Sequence, residues 1–236
     1  MPVLCICRDG QSFKKGRLQM RRKDCFFGLH FDFHANKHSA AIGSEWKDEI
    51  LEELLVTVKP DYVQCDTKGH AGYSSYPTKV GTPAPLIHTD ILRQWRRITK
   101  KHHVLLYGHH SGLWDTVASE KHPEWAAVDH EGNKTDKMSV FGGYADGLLI
   151  PQLVELAVDY ELDGAWVDGE CWAAQIDYSD AARDAYRKAT GKEAPLPDDE
   201  EFEKYKDFCR QGFFDYVQHY IAEVKKVAPH FELTRN

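Results

Sequence analysis

No stretch of this sequence approaches the roughly 18 consecutive apolar residues that a membrane-crossing helix needs, which excludes a transmembrane span. Positive charge is in the minority: 30 Lys and Arg face 37 Asp and Glu, a formal net charge of −7. That balance argues against general nucleic-acid binding, which carries a basic patch. The six cysteines, Cys5, Cys7, Cys25, Cys65, Cys171 and Cys209, include no pair at zinc-ribbon or thioredoxin spacing. They are too scattered for a disulfide scaffold and read as reduced thiols of a cytoplasmic protein. The opening MPVLCIC has too short an apolar run, and no basic residues ahead of it, for a secretory signal. No G-x-G-x-x-G follows the first strand-like segment, and neither a close internal repeat nor a low-complexity tract occurs. What is present is 42% hydrophobic residues, enough for a sizeable core and against disorder, and 13 His that cluster.

Residues 1–24 carry seven basic and two acidic side chains and read as a leader or an exposed arm. Beyond them strand and helix patterns alternate. FFGLHFDF (26–33) has period two, with Phe27, Leu29, Phe31 and Phe33 on one face and Gly28, His30, Asp32 and His34 on the other. A helix is predicted over 44–58, where Trp46, Ile50, Leu51, Leu54, Leu55 and Val58 recur at helical spacing. Ser44 is its predicted N-cap and Lys59-Pro60 its stop. Further strands are predicted at 61–66, 104–110 and 164–170, and further helices at 91–101, about 147–160 and about 202–227. The last helix carries an apolar stripe of Phe214, Val217, Ile221 and Val224, and HFELTRN opens a fifth strand.

Repeated strand–loop–helix units predict an α/β fold with a parallel sheet covered by helices. The long loops follow the strands, the side on which (β/α) barrels and doubly wound sheets both bind ligands. The absent glycine fingerprint disfavours the dinucleotide-binding version of the latter. A full barrel needs about 250 residues, whereas four units use nearly all of this chain. The expectation is a partial (β/α)8 TIM barrel: four βα units and the start of a fifth strand, residues 25–236, forming an N-terminal half.

Each strand ends in ionisable or aromatic groups. The first gives His30, Asp32 and His34; the second Asp66, then Lys68 and His70; the third Tyr107, His109 and His110, then Trp114; the fourth Trp166, Asp168, Glu170 and Trp172. Charged groups are rarely buried without partners, so an inward Asp on three successive strands points to a site. Trp and Tyr offer flat apolar surfaces to the C–H faces of a sugar, while His, Asp and Lys hydrogen-bond its hydroxyls. The predicted partner is a carbohydrate substrate, with no nucleic acid and no membrane.

Three stretches give this pattern a family likeness: FFGLHFDFHA (26–35), DYVQCDTKGHAGYSSYPTKVG (61–81) and GAWVDGE (164–170). Together they resemble the N-terminal half of the α-L-fucosidase-like glycoside hydrolases, in particular the group named hypothetical glycosyl hydrolase 6. The resemblance implies a retaining, exo-acting glycosidase, with Asp168, in its Trp-x-Asp-Gly setting, as nucleophile. It implies sugar contacts from His34, His70 and Trp114, with His30 and His109 behind them. Asp32, Asp66, Lys68, Tyr107, Glu170 and Trp172 complete the candidate substrate-binding set; no cofactor and no metal is implied. Fucosidases carry Lys-His-His-Asp-Gly-Phe after the second strand; this chain reads Lys68-Gly69-His70-Ala71-Gly72-Tyr73, so its hydroxyl contacts differ. The related families place their acid/base after the fourth strand, outside this chain.

Two other readings compete. A metal-dependent, amidohydrolase-like barrel would also line strand ends with His. Against it, His30 and His34 are about 13 Å apart along a regular strand, and Asp32 reaches a neighbouring His only if the backbone is distorted. The other reading is a non-catalytic carbohydrate-binding half-barrel. Its sheet edges and apolar inner face would need covering by a homodimer partner or by a C-terminal half.

Overall fold

The computed structural model describes residues 21–170 and 175–235. The expectations for residues 1–20 and for Trp172 lie outside the described residues. In chain order the first half holds β1 (Gly28–Phe31), α1 (Asp48–Val58), β2 (Tyr62–Lys68), the short β3 (Tyr73–Ser74) and β4 (Thr82–Pro83), and α2 (Ile91–His102). Then come β5 (Leu105–Ser111), α3 (Thr116–Lys121), the hairpin of β6 (Ala126–Val128) and β7 (Lys134–Met138), and α4 (Ile150–Val158), entered through one π turn. The last elements are β8 (Gly164–Asp168), α5 (Asp180–Thr190), α6 (Phe202–Val227) and β9 (Glu232–Arg235).

Strands β1, β2, β5, β8 and β9 lie side by side in that order, each parallel to the next. This is the expected α/β fold with a parallel sheet. One face of the sheet follows from alternation: Val63, Cys65, Leu106, Ala165 and Val167 are buried against the helices. They meet Leu51 and Leu55 of α1, Leu92 and Ile98 of α2, Leu153 and Leu156 of α4, and Val217 and Val224 of α6. Each fully buried aliphatic chain contributes about 1.5–3 kcal/mol. Helix α2 is well marked in sequence: Asp90 caps it through the Arg93 N–H, and Lys100, Lys101 and His102 sit at the negative end of its dipole.

The opposite face is not the apolar surface expected of an opened barrel. The residues alternating with the core set are His30, Gln64, Tyr107, His109, Trp166 and Asp168, polar or aromatic throughout. The stripe expected on α6 is also shifted. Phe214 is exposed, and Tyr216 and Tyr220 are buried in its place beside Val217 and Val224.

Several boundaries depart from the sequence reading. β1 stops at Phe31 instead of 33. Helix α1 begins at Asp48 rather than Ser44: Ile42 bridges Ile87, Gly43 takes a positive φ of 74°, and Lys47 is extended, so 42–47 cannot be helical. β8 stops at Asp168 because Gly169 turns the chain with φ 74°. The β6–β7 hairpin, α3 and α5 lie inside segments read as loop. Residues 21–24, placed in the N-terminal arm, are seated beneath the sheet. The Arg22 N–H bonds Glu232, and its guanidinium lies 3.7 Å from the centre of the Tyr62 ring.

Candidate functional site

The C-terminal ends of β1, β2, β5 and β8 bring together Asp32, His34, Asp66, His70, His109, Trp114 and Asp168. Asp66, His109 and Trp166 are register neighbours across the sheet, and Ser111 and Asp168 form the next layer up. Asp32 and His34 belong to the chain just past β1. Freed from strand geometry, they fold together, with His34 Nε2 2.6 Å from Asp32 Oδ1. The backbone distortion that sequence reasoning counted against this pairing is the early end of β1.

Around this centre the rings pack closely. His109 stacks on Trp166, with centroids 5.0 Å apart, and His30 meets both rings edge-on. Gln64 reaches the Nδ1 of His30 at 3.0 Å. His70 stacks on Trp114 at 4.7 Å and 8°. The Trp114 indole N–H bonds Asp136 of β7, and Lys137 lies over its ring, so the unforeseen hairpin fixes this aromatic wall. Ser111 Oγ donates to the Trp114 carbonyl and lies 2.7 Å from His70 Nδ1. With its proton committed to the carbonyl, the hydroxyl accepts from Nδ1–H, leaving His70 Nε2 to face Asp168 Oδ2 at 3.7 Å. His109 Nε2 lies 3.1 Å from the same oxygen. Ser111 follows His109 by two strand residues, so its place on this face was available from alternation.

Burial shapes the electrostatics. It pushes the Asp66 carboxyl up to about 8, with the charge of Asp32 adding to the effect. It lowers His70 and His109, with Asp168 opposing the fall at both.

Three residues expected at the site are elsewhere. Lys68 is fully buried on the helix side of β2, because a register shift between Asp66 and Lys68 pairs it with His110. Its three donors are taken by Asp115 at 2.7 Å, Tyr144 at 3.0 Å and Gln152 at 3.1 Å, leaving none for a ligand. Tyr107 sits one layer below His109, and its hydroxyl donates to Glu232. Glu170 does not continue the face of Asp168, because the turn at Gly169 carries it to the side covered by α6. There it is fully buried and accepts from Tyr220 at 3.0 Å. His110 points away from His109, into a buried network with Thr67 and Gln152.

Among the described residues no helix is long and apolar enough to cross a membrane. The family model described as alpha-L-fucosidase matches residues 43–231. No curated protein matches the sequence. Among solved structures, alpha-L-fucosidase isoenzyme 2 from Paenibacillus thiaminolyticus is 20% identical with a TM-score of 0.74, over 92% of this chain and 32% of its own. An alpha-L-fucosidase from Bacteroides thetaiotaomicron is 14% identical with a TM-score of 0.51, over 88% of this chain and 44% of its own. A hypothetical protein from Ruminiclostridium thermocellum is 14% identical with a TM-score of 0.51, over 83% of this chain and 93% of its own. These likenesses concern the fold. The chain spans about a third of the first of these proteins and less than half of the second.

Proposed function

The chain belongs to the alpha-L-fucosidase family, and from that premise we propose that it carries the nucleophile of a retaining, exo-acting glycoside hydrolase for an α-L-fucoside-like sugar. In this reading residues 25–236, with the seated residues 21–24, are the N-terminal half of a (β/α)8 barrel. The open sides of β1 and β9 then receive a C-terminal half or a second copy. The free thiols of Cys25, Cys65 and Cys209 suit a reducing, cytoplasmic setting.

One observation carries the reading. Asp168, the last residue of β8, has its carboxylate 3.1 Å from His109 and 3.7 Å from His70, beside the stacked His70–Trp114 pair. A nucleophile must be ionised, held still and next to a surface that positions a sugar ring. The two imidazoles flank the carboxylate, while the Trp114 indole offers an apolar face.

The mechanism follows. Asp168 attacks the anomeric carbon, and the glycosidic C–O bond breaks as the glycosyl–enzyme ester forms, the aglycone leaving as its oxyanion when activated and otherwise as the alcohol, with a proton from an acid outside this chain. Water then hydrolyses that ester and restores the carboxylate. His34 and His70 hydrogen-bond sugar hydroxyls, and Trp114 packs against the ring. His30, Asp32, Asp66 and His109 line the floor. The departure from the fucosidase run at Gly69 has a steric counterpart here, because the ring of His34 lies over that glycine. In place of the first His of the family's pair, this chain presents an imidazole from the segment just past β1.

The test is turnover of an activated aryl α-L-fucoside, whose leaving group needs no proton, by the wild-type chain and Asp168→Gly. Release of the aryl group by the wild type and its loss in the variant support the reading. Equal release by both removes Asp168 from the role.

A further inference from the structure

We propose that Asp32, His34, Asp66 and His109 form a binding site for a divalent transition-metal ion of the zinc class. Each of the four offers one ligand atom, and these atoms all lie within 4.8 Å of one another. Asp32 Oδ1 stands 2.6 Å from His34 Nε2 and 3.5 Å from His109 Nδ1. Asp66 Oδ1 stands 3.7 Å from His34 Nε2 and 3.8 Å from His109 Nδ1. A tetrahedral ion with bonds of about 2.0–2.2 Å sets its ligands roughly 3.3–3.5 Å apart. Small side-chain rotations bring the four atoms to that spacing.

Two observations beyond proximity point to a ligand. The first is an unmet need at the centre of the cluster. The Asp66 side chain is 2% exposed and that of His109 3%. Both carboxylate oxygens of Asp66 and both ring nitrogens of His109 are buried without a well-formed hydrogen bond, the Ser75 hydroxyl and the Ala35 N–H acting only weakly on the Asp66 carboxyl. Folding seldom leaves such groups unsatisfied, because each forfeits its hydration without replacement. A cation among them would satisfy both at once. The second is the far side of His109, whose Nε2 lies 3.1 Å from Asp168 Oδ2. An imidazole with one nitrogen toward a metal and the other toward a carboxylate is the usual outer-sphere arrangement of histidine ligands.

The donor set selects the ion. Two imidazoles disfavour calcium and magnesium, which take oxygen ligands. The lack of a thiolate in the set disfavours soft monovalent copper. The two carboxylates of the set carry the charge that neutralises a divalent ion. Gly69 makes the set possible, since a β-carbon there would collide with the His34 ring. A metal on Nδ1 would also fix the His109 proton on Nε2, aimed at the Asp168 carboxylate. The inference does not rest on the sugar reading, because the site could hold its ion whatever the chain cleaves.

The experiment uses the full chain after exhaustive chelation, with Zn²⁺ and Co²⁺ as probes. One ion per chain is expected, with a dissociation constant in the micromolar range or tighter. The Co²⁺ form is expected to show the intense visible absorption of a tetrahedral site. At a hundredfold excess over the dissociation constant, Zn²⁺ is expected to raise Tm by about 5–10 °C. Asp66→Asn and His109→Gln are each expected to weaken binding by about 100-fold or more and abolish the absorption. Asp168→Asn is expected to keep the stoichiometry at a cost of roughly 10–100-fold in affinity. A folded wild-type chain that takes up no ion overturns the proposal, as does an aquo-like Co²⁺ spectrum or unchanged affinity in both ligand variants. The wild-type spectrum decides even if a variant fails to fold. None of these measurements involves a sugar, so the two readings fail separately.

Discussion

The imidazole of His34 fills the space that a side chain at Gly69 would need: a β-carbon there would stand 2.6 Å from His34 Cγ and 2.8 Å from its Cβ. The obstructing atoms are the base of the ring, not a flexible tip, so relief requires moving His34 itself. Gly69→Ala is expected to destabilise the chain by about 1–3 kcal/mol, as overpacking does. In a His34→Ala background the same change should cost far less, giving a coupling of about 1–2 kcal/mol. Urea unfolding of the four proteins measures it. A coupling near zero would mean that the two positions do not share this space.

Asp168 should prove indispensable to chemistry and dispensable to folding. Its carboxylate is beside the pocket rather than in the apolar core, so Asp168→Gly or Asp168→Asn is expected to leave the circular dichroism spectrum unchanged. Aryl α-L-fucoside cleavage is expected to fall by roughly 10³-fold or more, the scale on which removal of a covalent catalyst acts. Steady-state and burst kinetics of aryl release check both variants.

The Lys68–Asp115 ion pair is a stability element rather than a ligand contact. Both side chains are buried, 2.7 Å apart, and Asp115 also caps α3 through the Ala118 N–H. Lys68→Met leaves the Asp115 charge buried with less compensation and is expected to cost about 3–5 kcal/mol. Lys68→Met combined with Asp115→Asn, which removes the stranded charge and keeps a capping side chain, should cost less than Lys68→Met alone. Denaturant midpoints of the three proteins rank them. A harmless Lys68→Met would mean that the lysine is free to serve a ligand after all.

Glu170 should give the chain a pH-dependent stability of unusual sign for a carboxylate. Burial beneath α6 pushes its carboxyl from 4.5 up to about 7, with the Tyr220 hydrogen bond opposing the rise. The folded chain therefore holds this proton more tightly than the unfolded chain. The contribution is complete below about pH 4.5, declines as pH rises through about 7, and is constant above that. The full change amounts to roughly 3 kcal/mol. Glu170→Gln is expected to flatten this part of the profile and to be more stable than wild type at pH 8. Urea unfolding at pH 5 and pH 8 provides the comparison, and parallel pH profiles for the two proteins would exclude the assignment.

Much of this arrangement was legible in the sequence because alternation is a strong rule inside strands. Period two placed Leu29 and Phe31 apart from His30, and the apolar repeat of residues 50–58 located most of α1. The rule fails where strands end. Nothing in FFGLHFDF marks Phe31 as the last paired residue, so the joining of Asp32 and His34 was hidden. Gly169 carried a signal, since a glycine after the nucleophile candidate permits a left-handed turn, and that turn separates Glu170 from Asp168. The inward rotation of Lys68 depends on a register slip against β5, a relation between distant segments that local pattern does not encode. The β6–β7 hairpin is short and rich in charge, and its Asp136 and Lys137 matter only through Trp114.

The chain beyond Phe31 gives the pocket one wall that is not part of the sheet. Asp66, His109 and Asp168 are braced by the hydrogen-bonded ladder of three adjoining strands, whereas Asp32 and His34 hang from a stretch with few such ties. Their place is set instead by the pairing of His34 with Asp32 and by the burial of Ala35 between His34 and Asn36, so these two side chains owe nothing to strand register.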